Sequence, residues 1–257
     1  MQIARFSLEG GAIGFGIVDE DELVVLSGDP MFAGFDTTGE RVELGDARLL
    51  APVIPRSKVV GIGRNYRDHA AELGNEVPDE PLVFLKPNTA VIGPEDAIPY
   101  PSQTDDLQYE GEVALVIGKV ARNVSAASAA DVVFGVTAAN DVTMRDRQRS
   151  DKQWARAKGF DASCPLGPVI QTEFDPEEIR VQTRLDGKTV QDGTTADLVF
   201  DFATLIEYVS SFMTLLPGDV ILTGTPAGVG PMQAGQTVEV EVEGVGTLTN
   251  RIVGQQQ

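Results

Sequence analysis

The chain has 257 residues, of which 42% are hydrophobic and 23% charged, and this composition is typical of a globular protein with a sizeable core. Its formal net charge of −19 argues against nucleic acid or an anionic membrane as a partner, because both bind basic surfaces. The single cysteine, Cys164, excludes an internal disulfide, and neither a signal peptide nor an apolar stretch that could span a membrane is predicted, so we expect a cytoplasmic protein.

Residues 1–52 are predicted to form a small N-terminal β-domain or arm. Two β-like runs, at 13–18 and 22–26, are bounded by glycine and aspartate. The segment 51–56 contains two prolines and is typical of a boundary. A second domain is therefore predicted over residues 53–257.

This second part combines many short strands with few helices. Helices are predicted at 65–73, 126–131 and 202–215, and strands at 58–63, 82–85, 110–117, 132–138, 220–223 and 237–242. The helix at 202–215 has the clearest pattern, because its apolar residues recur at helical spacing and Pro217-Gly218 follows it. Few helices among many strands predict a β-rich α+β fold and not a doubly wound one.

The most informative motif is Tyr109-Glu110-Gly111-Glu112, which opens the apolar run at 113–117. Residues i and i+2 of a strand point to the same side, so the two glutamates share one face. At close approach, two carboxylates repel each other by roughly 4 kcal/mol at an effective dielectric of about 20. A basic partner or a divalent cation must offset this repulsion, and the run contains no basic residue before Lys119. The pair is therefore a candidate metal site.

A third carboxylate, Asp141, lies just beyond the strand predicted at 132–138. Three oxygen ligands without imidazole or thiolate suit Mg²⁺ or Mn²⁺ and disfavour Zn²⁺ or Cu²⁺. An octahedral ion held in this way keeps about three positions for water or substrate. The alternative is that arginine or lysine side chains from elsewhere in the chain pair with the carboxylates.

His69 is the only histidine of the chain, and Glu72 follows it at i+3. On a helix these two side chains share a face and can touch. A carboxylate that accepts from one ring nitrogen fixes the tautomer and leaves the other nitrogen as a base. The alternative is a surface histidine on a polar helix.

Three further polar residues could hold an anionic substrate. Lys158 stands beside Gly159, and Arg145 and Gln148 follow Asp141 by four and seven residues, hence on its face if the segment is helical. Each of the three could equally be a solvated surface residue.

Together these motifs resemble the fumarylacetoacetate hydrolase family over roughly residues 53–253. The matching segments are Gly63-Arg64-Asn65-Tyr66 with His69 and Glu72, Tyr109-Glu110-Gly111-Glu112, Asn140-Asp141 with Arg145, Asp146 and Gln148, Lys158-Gly159-Phe160-Asp161, the turn at 215–219 and the loop at 223–230. One segment alone is weak, but all of them in this order and spacing are specific. The first fifty residues match only as a variable appendage.

The resemblance implies a mixed β-sandwich roll that forms a homodimer and has no cofactor besides Mg²⁺ or Mn²⁺. It implies that Glu110, Glu112 and Asp141 hold the ion. It further implies that His69 and Glu72 form a catalytic dyad on a lid helix that orders when substrate binds, and that Lys158 is the active-site lysine. Residues implied to help bind the substrate are Arg67, Arg145, Gln148 and Thr225.

The implied substrate is a small anionic 2-keto or diketo acid, whose pyruvate enolate the ion stabilises as a Lewis acid. Three reactions share that enolate: acylpyruvate hydrolysis, in which His69 and Glu72 activate water and Lys158 steadies an oxyanion, oxaloacetate decarboxylation, and isomerisation of 2-hydroxyhepta-2,4-diene-1,7-dioate (5-carboxymethyl-2-hydroxymuconate) in aromatic degradation. The motif at 63–66 is most similar to the acylpyruvase and oxaloacetate decarboxylase branch, so a hydrolase or lyase is predicted, with an isomerase as the alternative.

A non-catalytic keto-acid-binding protein that kept the metal site is the alternative from another class. The presence of His69, Glu72 and Lys158 beside the carboxylates argues against it, because a binding protein has no need of a general base.

Overall fold

The computed structural model describes residues 1–72, 74 and 76–254. Within these residues the strands are β1 (Gln2–Ser7), β2 (Ile13–Asp19), β3 (Glu22–Leu26), β4 (Thr37–Glu43), β5 (Arg48–Leu49), β6 (Val59–Gly63), β7 (Leu82–Lys86), β8 (Val91–Ile92), β9 (Ala97–Pro99), β10 (Leu107–Tyr109), β11 (Gly111–Ile117), β12 (Val133–Asn140), β13 (Thr143–Met144), β14 (Cys164–Gln171), β15 (Arg180–Leu185), β16 (Lys188–Thr194), β17 (Val220–Leu222), β18 (Gly230–Pro231), β19 (Thr237–Val242) and β20 (Gly246–Val253). The α-helices are α1 (Pro30–Ala33), α2 (Arg67–Glu72), α3 (Arg145–Ser150), α4 (Ala155–Lys158) and α5 (Phe202–Phe212).

The largest sheet has twelve strands and positions the site. Its main path runs β4-β3-β2-β1-β14-β12-β11-β17-β6-β7, with β5 beside β1 and β8 beside β14. Every residue of β11 is buried, and the valines and isoleucine of this strand suit such an interior position. β11 pairs antiparallel with β12 and places Gly111 opposite Asn140. The residues that flank this pair, Glu110 and Asp141, therefore meet at one end of the two strands.

A five-stranded sheet, β16-β15-β19-β20-β9, packs against the large sheet. The main hydrophobic core contains Leu115 of β11, Val240 of β19 and Ile206 of α5. Because residues of two sheets and a helix share this core, the molecule is a sheet-on-sheet sandwich with helices at its margin. The β-rich α+β fold predicted from the sequence is confirmed.

The N-terminal strands continue the large sheet. β1 pairs with β2 on one side and with β14 on the other, through Gln2 opposite Gln171 and Ile3 opposite Ile170. The backbone N–H of Thr172 also donates to the carbonyl of Met1 over 3.0 Å. Residues 1–52 are thus tied to the rest of the chain by main-chain hydrogen bonds, and the division at residue 52 stays a prediction.

Several predicted elements have different limits in the structure. The helix predicted at 126–131 is a 3-10 helix at Ala126–Val132. The helix predicted at 202–215 ends at Phe212, because Met213 adopts an extended conformation. The helix predicted at 65–73 begins at Arg67, and its predicted last residue, Leu73, lies outside the described residues. None of the described helices is both long and apolar enough to cross a membrane.

Candidate active site

Three buried carboxylates meet at the end of β11 and β12. Oxygen atoms of Glu110, Glu112 and Asp141 all lie within 4.8 Å of one another. The backbone N–H of Asp141 donates to the carbonyl of Glu110 over 2.8 Å, and that of Glu110 donates to the side-chain oxygen of Asn140 over 3.0 Å. These bonds extend the β11–β12 register by one residue, which is why a carboxylate distant in sequence joins the two glutamates.

The glycine between the glutamates is required by close packing. A Cβ at Gly111 would lie 2.0 Å from the hydroxyl oxygen of Thr183. The backbone N–H of Gly111 donates over 3.0 Å to the side-chain oxygen of Gln191. The five-stranded sheet therefore supports this strand from behind, while the two glutamates point to the opposite side.

Three buried cations surround the carboxylates. The Nζ of Lys158 donates to Glu110 over 2.7 Å and to Asp141 over 2.6 Å. Lys86 forms a second ion pair with Asp141, and Arg145 forms one with Glu110. The alternative to a metal required basic partners, and these are present. They pair with Glu110 and Asp141 only, because among the described residues no lysine or arginine contacts Glu112.

The pKa values of the two glutamates move in opposite directions. Burial raises the pKa of Glu110, but the attraction of Lys158 and Arg145 outweighs burial and leaves that pKa far below its usual range. Burial and the repulsion of Asp141 and Glu110 hold the pKa of Glu112 well above its usual range. Its one hydrogen bond among the described residues comes from the backbone N–H of Gly224, over 2.6 Å.

The residues fit a hard divalent cation. All three donors are carboxylates, their oxygens are close enough to share one ion, and the buried Glu112 lacks a cationic partner within the described part of the chain. The three carboxylates and the three basic side chains balance one another. A divalent ion would leave this cluster with two positive charges, which favours an anionic ligand.

The histidine and its carboxylate partner lie on α2, beside the cluster. The Nδ1 of His69 is 3.4 Å from a carboxylate oxygen of Glu72, and both oxygens of Glu72 accept from the backbone N–H of Gly228 at 3.1 and 3.2 Å. Burial lowers the pKa of His69, against the attraction of Glu110. A neutral imidazole at neutral pH can accept a proton, so the predicted pair has the geometry and charge state of a base and its orienting group.

A cavity of about 420 Å³ joins the carboxylates to the histidine. Its lining residues are Ile62, Gly63, Arg64, His69, Phe84, Glu110, Glu112, Arg145, Gln148, Arg149, Trp154, Lys158 and Thr225. Most of the residues predicted for the site therefore meet in one place. Arg67 does not line the cavity, because its side chain lies on the exposed side of α2.

The prediction that Arg145 and Gln148 share a helical face with Asp141 is wrong. Helix α3 begins at Arg145, so Asp141 is not on this helix and does not share a helical face with the two residues. Arg145 reaches the site through Glu110, and its Nε donates to the side-chain oxygen of Gln108 over 2.8 Å. Gln148 is held by a hydrogen bond from Arg145.

Lys86 was missed by the sequence analysis. It ends β7 and is buried, and its ammonium group pairs with Asp141. A lysine that directly continues an apolar strand is the one signal that indicates it, since a lysine is buried only with a partner. The aromatic side chains of Phe84 and Trp154, which form one wall of the cavity, were missed for a similar reason: nothing local to them points to a site.

Comparison with known proteins gives two family matches. A family model described as fumarylacetoacetate (FAA) hydrolase C-terminal matches residues 58–253. A second model, described as Rv2993c-like, N-terminal, matches residues 1–52. Together the two matches account for nearly all of the chain.

Individual relatives agree with these matches. Protein Rv2993c of Mycobacterium tuberculosis is 50% identical over 219 residues, which are 84% of this chain and 82% of that protein. Oxaloacetate tautomerase YisK of Bacillus subtilis is 41% identical over 223 residues, which are 81% of this chain and 76% of that protein. The crystal structure of 5-carboxymethyl-2-hydroxymuconate delta-isomerase from Mycobacterium smegmatis is 44% identical, with a TM-score of 0.92 over 99% of this chain and all of that one.

Proposed function

The chain belongs to the fumarylacetoacetate hydrolase family, as its motifs predicted, and we propose that it is a Mg²⁺- or Mn²⁺-dependent isomerase that moves a proton on short anionic 2-keto acids. One observation carries the proposal: His69, oriented by Glu72, shares a cavity with Glu110 and Glu112, two of the three buried carboxylates that fit a divalent cation. The names of two relatives, a tautomerase and a delta-isomerase, support this reaction class, because both reactions shift a proton and a double bond.

The proposed metal ligands are Glu110, Glu112 and Asp141. When bound, Mg²⁺ or Mn²⁺ would supply a Lewis acid that stabilises the negative charge developing on the keto oxygen of the substrate. Lys158 and Arg145 hold Glu110 ionised and in place, and Lys86 does the same for Asp141. These cations would also keep the cavity attractive to an anionic substrate.

The proposed base is His69. It would remove a proton from the carbon beside the keto group, the C–H electron pair would form the new carbon–carbon double bond, and the keto oxygen would take the negative charge. Glu72 orients the imidazole through Nδ1 and stabilises its protonated form. Return of the same proton to the oxygen, or to a more distant carbon of a conjugated chain, completes tautomerisation or isomerisation. Gln148 and Thr225, which line the cavity, are the proposed substrate contacts.

Hydrolysis of acylpyruvates and decarboxylation of oxaloacetate form the second proposal. The observation that favours hydrolysis is the same His69–Glu72 pair, since a neutral imidazole can deprotonate a water molecule as well as a carbon acid. Lys158 would then steady the oxyanion formed at the distal carbonyl, and cleavage would release a carboxylic acid and the pyruvate enolate. Decarboxylation requires no attacking water and so depends less on His69.

Product analysis by NMR with Mg²⁺ present tests these proposals. The protein would be incubated separately with acetylpyruvate, oxaloacetate and 2-hydroxyhepta-2,4-diene-1,7-dioate. We expect proton exchange between the enol and keto forms of oxaloacetate, or double-bond migration in the dienedioate. Acetate and pyruvate from the first substrate would favour hydrolysis instead, and pyruvate with CO₂ from oxaloacetate would favour decarboxylation. Silence on all three substrates would support the keto-acid-binding alternative.

The variant His69→Ala separates the base from the metal site. Proton transfer should fall by about 10²- to 10⁴-fold, because a positioned general base contributes about that much. Its affinity for Mg²⁺, measured by calorimetry, should match that of the unchanged protein, since His69 is not among the three carboxylates. A fully active variant would show that another group is the base. The predicted homodimer is checked on the same samples by size-exclusion chromatography with light scattering.

A further inference from the structure

Arg64 belongs to the motif at 63–66, to which the proposed mechanism gives no role. It lines the active-site cavity, and its side chain is half-buried. Its backbone has a φ of 58°, a left-handed conformation that is uncommon for a residue with a side chain and is concentrated at functional sites. Such a conformation persists only when the neighbouring residues impose it.

The neighbour that imposes it is Asn65, which is fully buried. Its side-chain amide donates to the carbonyls of Phe200 and Thr223 over 3.0 and 2.8 Å, and its side-chain oxygen accepts from the backbone N–H of Phe200 over 2.8 Å. Three hydrogen bonds therefore anchor the turn. Arg64 therefore extends from a fixed backbone, and a ligand would have to order only its side chain.

A row of aromatic side chains leads from the carboxylate cluster to the residue before Arg64. The ammonium of Lys158, which contacts two of the carboxylates, lies 4.9 Å from the centre of the Phe84 ring. Phe84 contacts Trp154 edge to face, with ring centres 5.7 Å apart. The Trp154 ring in turn lies 3.0 Å from the position that a Cβ would take at Gly63, the residue before Arg64. Arg64 thus stands at the far end of this row.

The carboxylate cluster is also linked to Arg64 by a short series of contacting residues behind the cavity lining. Gly224 donates its backbone N–H to Glu112, and a Cβ at Gly224 would lie 2.8 Å from the Cβ of Asn65. Gly224 and Asn65 therefore connect Glu112 to Arg64. A short-chain acid whose keto-acid end sits at the carboxylate cluster can reach Arg64 with its other end.

Arg64 differs from the other basic residues of the cavity in having no acidic partner within the described chain. Arg145 and Lys158 pair with members of the carboxylate cluster, and Arg149 pairs with Asp106 over 3.3 Å with its side chain 66% exposed. Arg64 forms no ion pair or side-chain hydrogen bond with a described residue. An arginine that lines a cavity and has no carboxylate partner in the protein is suited to bind a carboxylate of a ligand, in a bidentate contact.

We propose that Arg64 is a specificity-determining residue that binds the distal carboxylate of the substrate, so that the enzyme prefers keto diacids to keto acids with an uncharged end. This inference rests on the proposed function, which places the 2-keto-acid end at the carboxylate cluster. A divalent ion would leave two positive charges on the cluster, and Arg64 adds a third. This positive charge attracts a dianion more strongly than a monoanion.

Calorimetry of the Mg²⁺-loaded protein tests the inference without turnover. The probes are 2-oxopentanedioate and 2-oxopentanoate, which differ only in a carboxylate in place of a methyl group, and oxalate, which has no distal group. We expect the diacid to bind about 10- to 100-fold more tightly than the monoacid. In Arg64→Asn, which tolerates the left-handed backbone, this preference should disappear while oxalate affinity is kept. Arg64→Lys should keep part of the preference.

Arg149→Asn is the matched control, because it removes an arginine from the same cavity that already has an acidic partner. Its diacid preference should stay within about twofold of the unchanged protein, as expected for an exposed pair. A preference that survives Arg64→Asn, or that is lost in Arg149→Asn, overturns the inference. Oxalate binding with no diacid preference in the unchanged protein overturns it too and leaves the proposed function standing. If neither keto acid nor oxalate binds, the proposed function itself fails, and this inference with it.

Discussion

The molecule buries carboxylates in two places, and it treats them differently. Asp219 is fully buried, and its oxygens accept hydrogen bonds from the backbone N–H groups of Ser57, Lys58 and Leu216, from the hydroxyl of Ser57 and from the ammonium of Lys58. Glu112 is buried as well, but it accepts one hydrogen bond and lies beside two other carboxylates. Asp219 and Glu112 carry the same chemical group, but the first has many hydrogen-bond donors around it and the second has one.

This difference separates a structural acid from a functional one. A buried carboxylate whose oxygens are fully hydrogen-bonded stabilises the fold around it, here the turn before β17 and the start of β6. A buried carboxylate with one hydrogen bond and two repelling neighbours costs stability in the free protein. Such a cost is expected where a ligand completes the site. The four predictions below test the contrast, beginning with the loss of activity.

The largest effect is expected from Glu112→Gln. Activity should fall to the level of the uncatalysed reaction and Mg²⁺ binding should be lost, because one of three ligands loses its charge. The metal-free variant should nevertheless be more stable than the unchanged protein, by about 1 kcal/mol, since the repulsion among the carboxylates is reduced. Calorimetry with Mg²⁺ and urea denaturation measure the two quantities. Normal Mg²⁺ affinity in this variant would contradict the ligand assignment.

The reverse pattern is expected from Asp219→Asn. The free energy of unfolding should fall by about 3 kcal/mol, because the ammonium of Lys58 and three backbone N–H groups lose a charged acceptor. Mg²⁺ affinity and activity per folded molecule should not change. An activity loss at full Mg²⁺ affinity would mean that this turn also supports the active site.

The pH dependence of stability follows from the same carboxylate. Burial raises the pKa of Asp219, but the hydrogen bonds from Lys58, Leu216 and Ser57 outweigh it and leave the pKa below its usual value. A lowered folded-state pKa means that the stabilisation is fully present above the unfolded pKa of about 3.9 and is lost as the pH falls through the folded value. Denaturation midpoints below pH 4 should therefore depend less on pH in Asp219→Asn.

Mg²⁺ itself is expected to stabilise the protein. At a concentration of 100 times Kd, the ion should raise the free energy of unfolding by about 2.7 kcal/mol. The increase should be the same in Asp219→Asn, absent in Glu112→Gln and reversed by a chelator. Thermal unfolding with and without Mg²⁺ provides the comparison, and an equal increase in all three proteins would indicate binding elsewhere.

The sequence predicted the parts of the fold whose pattern is local. β11 and α5 were predicted closely, because each has an apolar pattern long enough to be unambiguous. β14 was missed, since Pro165 and Pro168 are unusual in a strand within a sheet. The β15–β16 hairpin was missed because its buried side includes the polar residues Thr183 and Gln191. The side chain of Gln191 is satisfied by hydrogen bonds with Gly111 of β11 and Thr225 of the 223–230 loop, which are distant in the sequence.

The candidate site divides in the same way. Glu110 and Glu112 follow from strand periodicity, and His69 with Glu72 from helical periodicity. Asp141 is brought to the site by the register between β11 and β12, and Lys86 by the strand order β11-β17-β6-β7. A local sequence pattern contains neither the register nor the order. Helical periodicity also could not tell the buried side of α2, which carries His69, from the exposed side, which carries Arg67.

The pairing of β1 with β14 has a consequence for how the protein is made. β1 leaves the ribosome well before β14, the strand that completes its hydrogen bonds. Strands β1 to β4 can pair with one another early, because each is antiparallel to the next along the chain. β5 can cover the second half of β1, but until β14 emerges Gln2 and Ile3 lack their strand partner on that edge. The pairing of β1 is therefore completed only after β14 has been made, and pairing between strands so distant in the sequence is slow.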